Sequence, residues 1–350
     1  MIHHTFVVRT GETNPWRNIA LEAFLLDHVP KETCILYLWQ NRHTVVIGRN
    51  QNAYKECRVR ELEADGGHLA RRLSGGGAVF HDLGNLNFTF LLPAADYDLG
   101  KQTDVILRAV QKLGIKAEKT GRNDIETDGR KFSGNAFYRS GKNAYHHGTL
   151  LVRADKEAAA RYLSVSQDKI RSKGVESVKS RIVNLTECNP DITIASMDRS
   201  MASSFDEVYG AVSRELQAAE LFTALPGIGE SEAAARKQLA ALEAKFADPD
   251  WKYGKNPPFE FAVQGRFSWG GVEIHFDVKA NTITNAQVFS DAMDSEFILG
   301  LADTLGGTPF TWQGVSEKLA AAYRDTPLYT GYAADIAKLI FEETPRYFSL

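Results

Sequence analysis

The stretch RRLSGGGAVFHDLGNLNFTF, residues 71–90, decides how the fold of this chain is interpreted. Three consecutive glycines follow an Arg-Arg pair and a serine, and the apolar segments GAVFH and NLNFTFLL come next. Such segments, separated by turn residues, are typical of short β-strands. A glycine triplet is costly to order, because glycine loses more backbone freedom on folding than any other residue. We therefore expect the bare backbone of Gly75–Gly77 to serve a purpose.

Three interpretations of the glycine loop are open from the residues alone. A tight hairpin turn is the simplest. A phosphate loop of known type is excluded, because Walker A needs a GK[ST] end and the Rossmann pattern needs a third glycine that opens a helix. An anion-binding nest of backbone N–H groups is the third. Since neighbouring strand residues point to opposite faces, we expect one of Arg71 and Arg72 to enter a pocket and the other to stay solvated.

The pattern along the chain predicts clustered strands with flanking helices, which is an α+β fold. Asn14-Pro15 is typical of a helix start. Pro and Gly residues in DPDWKYGKNPP indicate a linker at 248–258 between a catalytic domain, 1–247, and a small α+β accessory domain, 259–350. Strands are predicted at 35–39, 44–48, 69–73, 77–81, 85–92, 130–138, 144–152, 261–269, 272–278 and 282–290, and helices at 102–113, 204–222 and 229–247.

Composition limits the classes of function. The 350 residues suggest about two domains, and the net charge of −3 offers no basic field for nucleic acid or membrane. Three widely spaced cysteines fit a reducing compartment and no structural zinc site. No signal peptide or membrane-spanning run is recognisable. We expect a cytoplasmic protein.

A second polar cluster, GRNDIETDGRKFSGNA at 121–136, and the segment YHHGTLL add candidate site residues. Lys131 is the leading one, although a strand lysine can equally be a solvated charge. Neighbouring strand residues face opposite ways, so His146 and His147 do not easily share one site. We therefore expect no metal centre at the histidines, and we expect His147 to hydrogen-bond within a pocket.

These motifs together resemble the lipoate–protein ligases. RRLSGGGAVFHDLGNLNFTF, GRNDIETDGRKFSGNAF, HHGTLLV, GVESVKSRIVNLTE and RFSWGGVEIHFDV occur in the order and spacing of that family, over nearly the whole chain. The resemblance implies the mixed sheet with flanking helices of the biotin and lipoate protein ligases. It also implies a two-step ligase that joins lipoate and ATP to lipoyl-AMP, releasing pyrophosphate. The lipoyl group then passes to one lysine of a lipoyl carrier domain.

The resemblance also assigns roles to residues and partners. Lys131 is implied as the catalytic lysine that contacts both lipoate and the adenylate, and 168–184 as the adenylate-binding loop. Implied carriers are the lipoyl domains of 2-oxoacid dehydrogenase complexes and the glycine cleavage H protein, and ATP is implied to bring Mg2+. The remaining positions divide between ATP contacts (Arg72, Gly77, Ala78, Val79, Phe80) and lipoate contacts (Ser74, Gly76).

Elementary electrostatics agrees with the role implied for Lys131. Adenylation brings a carboxylate against a triphosphate, and two unit charges ~4 Å apart repel by about 4 kcal/mol at an effective dielectric near 20. A cation placed between them offsets this repulsion in the transition state. Asp124 either orients Lys131 or holds magnesium. We add Trp39, Asn85 and His147 as pocket candidates.

Other functions compete at this stage. An octanoyl- or lipoyl-transferase needs an activated cysteine and no ATP, and Cys188 is the only credible nucleophile among Cys34, Cys57 and Cys188. A biotin ligase would carry a GRGRxxR-like loop where RRLSGGG stands. A non-catalytic carrier-binding module is disfavoured, because both polar clusters are complete.

Overall fold

The computed structural model of the chain describes residues 1–120, 123–164, 182–225, 231–253, 261–279 and 282–343. The chain divides into two compact units. The first unit comprises Met1–Ile47, Ala53–Leu73 and Ala78–Tyr253, and the second comprises Gly48–Asn52, Ser74–Gly77 and Gly254–Leu350.

The first unit is built on a large mixed sheet. Its strands, in chain order, are β1 (His4–Arg9), β2 (Thr33–Trp39), β3 (Thr44–Ile47), β4 (His68–Arg71), β5 (Val79–His81), β6 (Asn85–Pro93), β7 (Glu118–Thr120), β8 (Asp124–Thr127), β9 (Arg130–Ser140), β10 (Asn143–Leu151) and β11 (Arg214–Gln217). Eight strands form one sheet in the order β11-β1-β2-β6-β10-β9-β8-β7, and β4-β3-β5 form a second, small sheet. In the large sheet β1 runs parallel to β11 and β2, and the other pairs are antiparallel.

Helices cover the sheet on both faces. They are α1 (Pro15–His28), α2 (Ala53–Glu56), α3 (Val59–Ala64), α4 (Leu99–Lys112), α5 (Lys156–Tyr162), α6 (Leu185–Cys188), α7 (Ile194–Tyr209), α8 (Leu221–Ala224), α9 (Glu232–Ala247) and α10 (Pro249–Tyr253). Successive strand residues point to opposite faces. On β2, Ile35, Tyr37 and Trp39 therefore pack in the cluster that contains α1, whereas Leu36 and Leu38 pack in the cluster that contains α4 and α7. This arrangement confirms the predicted fold class.

Local signals in the sequence set where helix α1 begins and where helix α7 ends. The side chain of Asn14 accepts the N–H groups of Trp16 and Arg17, and Pro15 is the first residue of α1, as predicted. The prediction of a helix at 204–222 is wrong. The helix begins earlier and ends at Tyr209, because Gly210 follows in the left-handed conformation at φ 72°. The chain then continues into β11 and short helical turns.

The second unit contains a three-stranded sheet and three helices among its described residues. They are β12 (Phe261–Phe267), β13 (Gly270–Lys279), β14 (Thr282–Ser290), α11 (Ser295–Leu305), α12 (Trp312–Ala322) and α13 (Pro327–Glu343). The strand order is β12-β13-β14, and both pairs are antiparallel.

The three glycines of the opening motif differ in what their backbone requires. A Cβ on Gly75 would lie 2.1 Å from the carbonyl oxygen of Ala292, in the same unit, so only glycine fits there. Gly76 has φ +91°, a left-handed conformation that favours glycine. A Cβ on Gly77 would meet no described atom within 4 Å. Packing and conformation therefore explain the first two glycines, and the third has open space beside it.

Candidate active site

A row of neighbouring side-chain positions crosses five strands on one face of the large sheet. Trp39 pairs with Asn87, and Asn87 pairs with Thr149. Thr149 Oγ1 accepts the N–H of Gly134 at 3.2 Å, and Gly134 pairs with Asp124. Residues directly opposite in adjacent strands lie on the same face of the sheet. The row therefore joins an aromatic end at Trp39 to a charged end at Asp124.

Lys131 reaches this face because of an irregularity in β9. The pairing of β8 with β9 shifts between Ile125 and Glu126, so that Glu126 faces Lys131 and Phe132 is the extra residue. A β-bulge of this kind re-aims the side chains that follow it. Phe132 packs in the core cluster of the opposite face, together with Ile125. Lys131 is thereby turned toward the row.

Lys131 and Asp124 form an ion pair, as the sequence analysis anticipated in one of its two alternatives. The Lys131 Nζ lies 2.7 Å from Asp124 Oδ1, and the two side chains keep 32% and 35% of their surface exposed. A Cβ at Gly134 would come within 3.0 Å of the same Nζ, so glycine leaves room for the ammonium group. A partly exposed ammonium near the start of β9 can reach an incoming anion.

The far end of the predicted adenylate loop returns beside this lysine. Of the predicted stretch 168–184, residues 168–181 lie outside the described residues. The described end forms a bridge between Ile182 and Lys131, and the Val183 N–H donates to the Lys131 carbonyl at 2.9 Å. The backbone that carries the candidate catalytic lysine is thus fixed from both sides.

The Arg-Arg pair departs from the sequence prediction, because both side chains are buried. The Arg71 guanidinium donates to the carbonyls of Trp251, at 2.8 Å, and Lys252, at 3.0 Å, at the end of α10. Arg71 therefore joins β4 to α10 within the first unit and has a structural role. Burial lowers the pKa of Arg72 to about 10, opposed by the charges of Tyr145 and Glu22. Arg72 also donates to the Val46 carbonyl at 3.2 Å.

A buried network that sequence reasoning missed lies behind Trp39. Trp39 Nε1 donates to Thr89 Oγ1 at 3.1 Å, and Thr89 Oγ1 donates to Glu22 Oε1 at 2.7 Å. His147 Nδ1 donates to the same carboxylate oxygen at 2.8 Å. Glu22 has 1% of its side chain exposed. An acidic residue on the apolar stripe of a predicted helix was the available signal.

The remaining predicted residues fall in different surroundings. Asn85 is fully buried, and its Nδ2 donates to Asn87 Oδ1 at 2.8 Å. The ring of Phe80 packs in a core cluster against His43 and Tyr162, so only its backbone is free to contact a ligand. Val79 is part-buried against the α1 cluster and Ala78 against the Phe80 cluster. Ser74, Gly76 and Gly77 belong to the second unit.

The two adjacent histidines face opposite ways, as predicted. The His146 ring lies on the other face, where Nε2 donates to Asn135 Oδ1 at 2.8 Å, and burial holds its pKa well below the usual value. Within the described ranges, no group of three or more His, Cys, Asp or Glu side chains is placed to hold a metal ion. No described helix is long and apolar enough to cross a membrane.

Two of the three cysteines are unsuited to a thioester mechanism. Cys34 and Cys57 are buried, and burial raises the pKa of each thiol to about 12. A thiol must become a thiolate to attack, so neither is a competent nucleophile near neutral pH. Cys188 is exposed at the end of α6.

Comparison with known proteins places this chain in one class. Residues 14–206 match the lipoyl protein ligase A/B catalytic domain, and residues 256–340 match the bacterial lipoate protein ligase C-terminus. Lipoate-protein ligase A of Psychrobacter cryohalolentis is 37% identical over 337 residues, covering 96% of this chain and 98% of the relative. The chain belongs to the lipoate–protein ligase family.

Solved structures agree with that assignment. The crystal structure of P. falciparum LipL1 in complex with lipoate superposes with a TM-score of 0.80 at 27% identity, over 97% of this chain and 99% of that chain. A lipoate-protein ligase A bound with ATP superposes with a TM-score of 0.59 at 23% identity, over 73% of this chain and 99% of that chain. The second likeness concerns the fold.

Proposed function

We propose that this enzyme activates lipoate with ATP to lipoyl-AMP and then transfers the lipoyl group to a lysine of a lipoyl carrier domain. The observation that carries the proposal is the Lys131–Asp124 pair, at 2.7 Å, at the charged end of the sheet row in a chain of this family. An ammonium group at that position matches the chemistry that adenylation needs.

In the first step a carboxylate oxygen of lipoate attacks the α-phosphorus of ATP. The bond between the α-phosphorus and the bridging oxygen breaks, and pyrophosphate leaves with that oxygen. Lys131 lies between the two anions and offsets their repulsion as the new P–O bond forms. Arg72 is suited to hold a phosphate through its planar guanidinium.

In the second step the amine of the carrier lysine attacks the acyl carbon. An amide bond forms, AMP leaves with the anhydride oxygen, and the attacking nitrogen loses its proton. The chemistry involves no thiol of this chain. The burial of Cys34 and Cys57 leaves the exposed Cys188 as the thiol that the thioester alternative would have to use.

The aromatic side chains around Trp39 suit the acyl end of the substrate. Trp39 is 5% exposed and packs with Tyr37, Tyr145 and other apolar side chains. We propose that the dithiolane and aliphatic tail lie along these rings, since burial of apolar surface is favourable at about 25 cal/mol per Å2. Glu22 and His147 hold Thr89, which accepts the indole N–H of Trp39; in this proposal they do not contact the reacting atoms.

Several further assignments belong to the same proposal. Ser74 and Gly76 contact lipoate, and the backbones of Gly77, Ala78, Val79 and Phe80 contact ATP. Mg2+ arrives with ATP as part of the substrate, and the oxygens of Asp124 are of the type that magnesium prefers. The carriers are lipoyl domains of 2-oxoacid dehydrogenase complexes and the glycine cleavage H protein. The domain bounds 1–247, 248–258 and 259–350 and a cytoplasmic location complete the assignment.

Modification of an apo lipoyl domain tests the proposal. The domain is incubated with enzyme, lipoate, ATP and Mg2+, and its mass is measured. We expect one added lipoyl group, and no addition when ATP is omitted. Modification without ATP from a lipoyl or octanoyl thioester donor would instead establish the transferase.

A further inference from the structure

One nitrogen of His81 has no assigned purpose in the fold. The His81 side chain is buried, with 4% of its surface exposed. Its Nδ1 is 3.2 Å from the side-chain nitrogen of Asn41. Its Nε2 is buried without a hydrogen-bond partner among the described residues. An orphaned buried polar atom in a native fold requires an explanation, and a missing ligand is one.

The protein dictates which ring nitrogen of His81 carries the proton. Asn18 Nδ2 faces the backbone carbonyls of Glu12 and Gln40 at 3.1 and 2.9 Å, and carbonyls can only accept. Asn18 Nδ2 has two hydrogens, and it also lies 3.0 Å from Asn41 Oδ1, so one N–H is shared between two acceptors and the oxygen of Asn41 faces Asn18. The other end of the Asn41 amide, its Nδ2, must then donate to His81 Nδ1. A ring nitrogen that accepts carries no proton.

The ring of His81 is neutral near physiological pH. Burial is the largest cause that lowers its pKa to about 3, and the charges of Arg72 and His147 act in the same direction. A neutral imidazole has one ring proton. Because Nδ1 accepts from Asn41, that proton is on Nε2. The orphaned atom is thus a hydrogen-bond donor.

The position of His81 associates this donor with the site. His81 ends β5, and its ring stands edge-on to Trp39 with 6.3 Å between ring centroids. Trp39 begins the side-chain row, and its neighbour Asn87 has a second buried atom, Nδ2, that is unpartnered among the described residues. A third is Oδ1 of Asn85, whose Nδ2 donates to Asn87 Oδ1. Several unfulfilled polar atoms therefore gather at one end of the row.

We propose that His81 is a substrate-binding residue whose Nε2–H donates to an anionic oxygen of the substrate, either the lipoate carboxylate or a phosphate of ATP. The inference rests on the proposed function. An oxygen anion fits better than a dithiolane sulfur, because sulfur is a weak acceptor and the nearby Arg72 attracts negative charge. Asn18 and Asn41 act as positioning residues that hold the donor tautomer.

Nitrogen NMR of histidine-labelled protein reads the tautomer directly. The His81 signals are assigned by their loss in His81→Gln. We expect a neutral ring protonated at Nε2 between about pH 5 and 8, since the relevant pKa lies far below that range. We also expect the Nε2 signal to shift when lipoate, a non-hydrolysable ATP analogue, or both are added, and the ligand that shifts it identifies the oxygen. A proton on Nδ1, or no shift with any addition, would overturn the inference.

Kinetics of two variants separate the donor from the shape of the ring. His81→Gln keeps an N–H close to the position of Nε2, whereas His81→Phe keeps the flat ring and removes the donor. We expect lipoate-dependent pyrophosphate exchange to fall about 100-fold in the Phe variant and about 10-fold or less in the Gln variant. Equal rates in the two variants would contradict a donor role.

A matched control stands on the same small sheet. His68 and His81 pair with Thr44 from opposite sides. His68→Phe should leave exchange unchanged, and melting temperatures of all variants report folding. If the wild type exchanges and both His81 variants match it, the inference about His81 fails alone. If the wild type shows no exchange, the proposed function fails, and the NMR titration still decides whether Nε2 meets a ligand.

Discussion

Replacing Lys131 by Ala removes the side-chain ammonium that lies 2.7 Å from Asp124 Oδ1. The proposed role of Lys131 is to offset the repulsion between the lipoate carboxylate and the α-phosphate. An ammonium about 3 Å from an oxyanion interacts by roughly 5 kcal/mol at an effective dielectric of 20. Single donors to a developing oxyanion contribute about 2.7–4 kcal/mol by mutagenesis. We therefore expect lipoyl-AMP formation to slow by about 100- to 1,000-fold or more.

The same substitution should change stability little. Lys131 and Asp124 keep 32% and 35% of their side-chain surface exposed, so solvent screens the pair. Partly exposed ion pairs contribute about 0–1 kcal/mol to folding. Catalysis and the free energy of unfolding should thus separate in this variant.

Lys112→Ala is a matched control for Lys131→Ala. Lys112, at the end of α4, has the same exposed fraction, 32%, and pairs with Glu207 of α7 at 2.8 Å, on the opposite face of the sheet from the side-chain row. The assay is lipoyl-AMP formed per enzyme, measured by chromatography, with urea unfolding for stability. Near-normal lipoyl-AMP formation by Lys131→Ala, or an equal loss in Lys112→Ala, would refute the reasoning. Asp124→Asn, with a smaller loss of rate and unchanged affinity for magnesium and ATP, would show that Asp124 orients Lys131.

Three further predictions concern the glycines, the cysteines and acid stability. A Cβ in Gly77→Ala meets no described atom within 4 Å, so the melting temperature should be unchanged while the affinity for ATP, measured by calorimetry, falls. Gly76→Val should lose ligand affinity and also carry backbone strain at φ +91°. Unchanged ATP affinity in both variants would show that the loop is only a structural turn. The folded triple variant Cys34→Ser, Cys57→Ser, Cys188→Ser should still modify an apo lipoyl domain with lipoate, ATP and Mg2+, as mass spectrometry would report; a folded but inactive variant would support the thioester route. His81 has a pKa of about 3 when folded and an ordinary value near 6.5 when unfolded, so the unfolded state binds more protons between these values and stability falls as pH falls through them. Its contribution between pH 7 and 5 is about 2 kcal/mol in urea unfolding; His81→Gln should flatten this dependence, and identical pH profiles for the two proteins would contradict the assignment.

Much of the fold followed from local patterns. Asn14-Pro15 placed the start of α1, and alternating or continuous apolar runs placed the strands that carry Trp39 and Asn87, because strand burial and turn residues are local signals. The helix predicted at 204–222 failed, since helical periodicity continued past Gly210, where the backbone turns left-handed. A single glycine outweighed the apolar pattern around it.

The candidate site was predicted less completely, for reasons of tertiary structure. Lys131 and Asp124 were named together, but their contact depends on a bulge that no residue pattern announced. Glu22 was missed because its partners, Thr89 and His147, come from strands distant in sequence. Burial of both Arg71 and its neighbour was unexpected, because the carbonyls that Arg71 binds lie 180 residues away.

Lipoate-dependent exchange of labelled pyrophosphate into ATP tests the central claim most directly. The exchange requires reversible formation of lipoyl-AMP and pyrophosphate and needs no carrier protein. We predict that the wild-type enzyme incorporates label into ATP when lipoate and Mg2+ are present, and that incorporation is at background without lipoate. Modification of a carrier by an enzyme that shows no exchange at any lipoate concentration would contradict an adenylate-forming ligase.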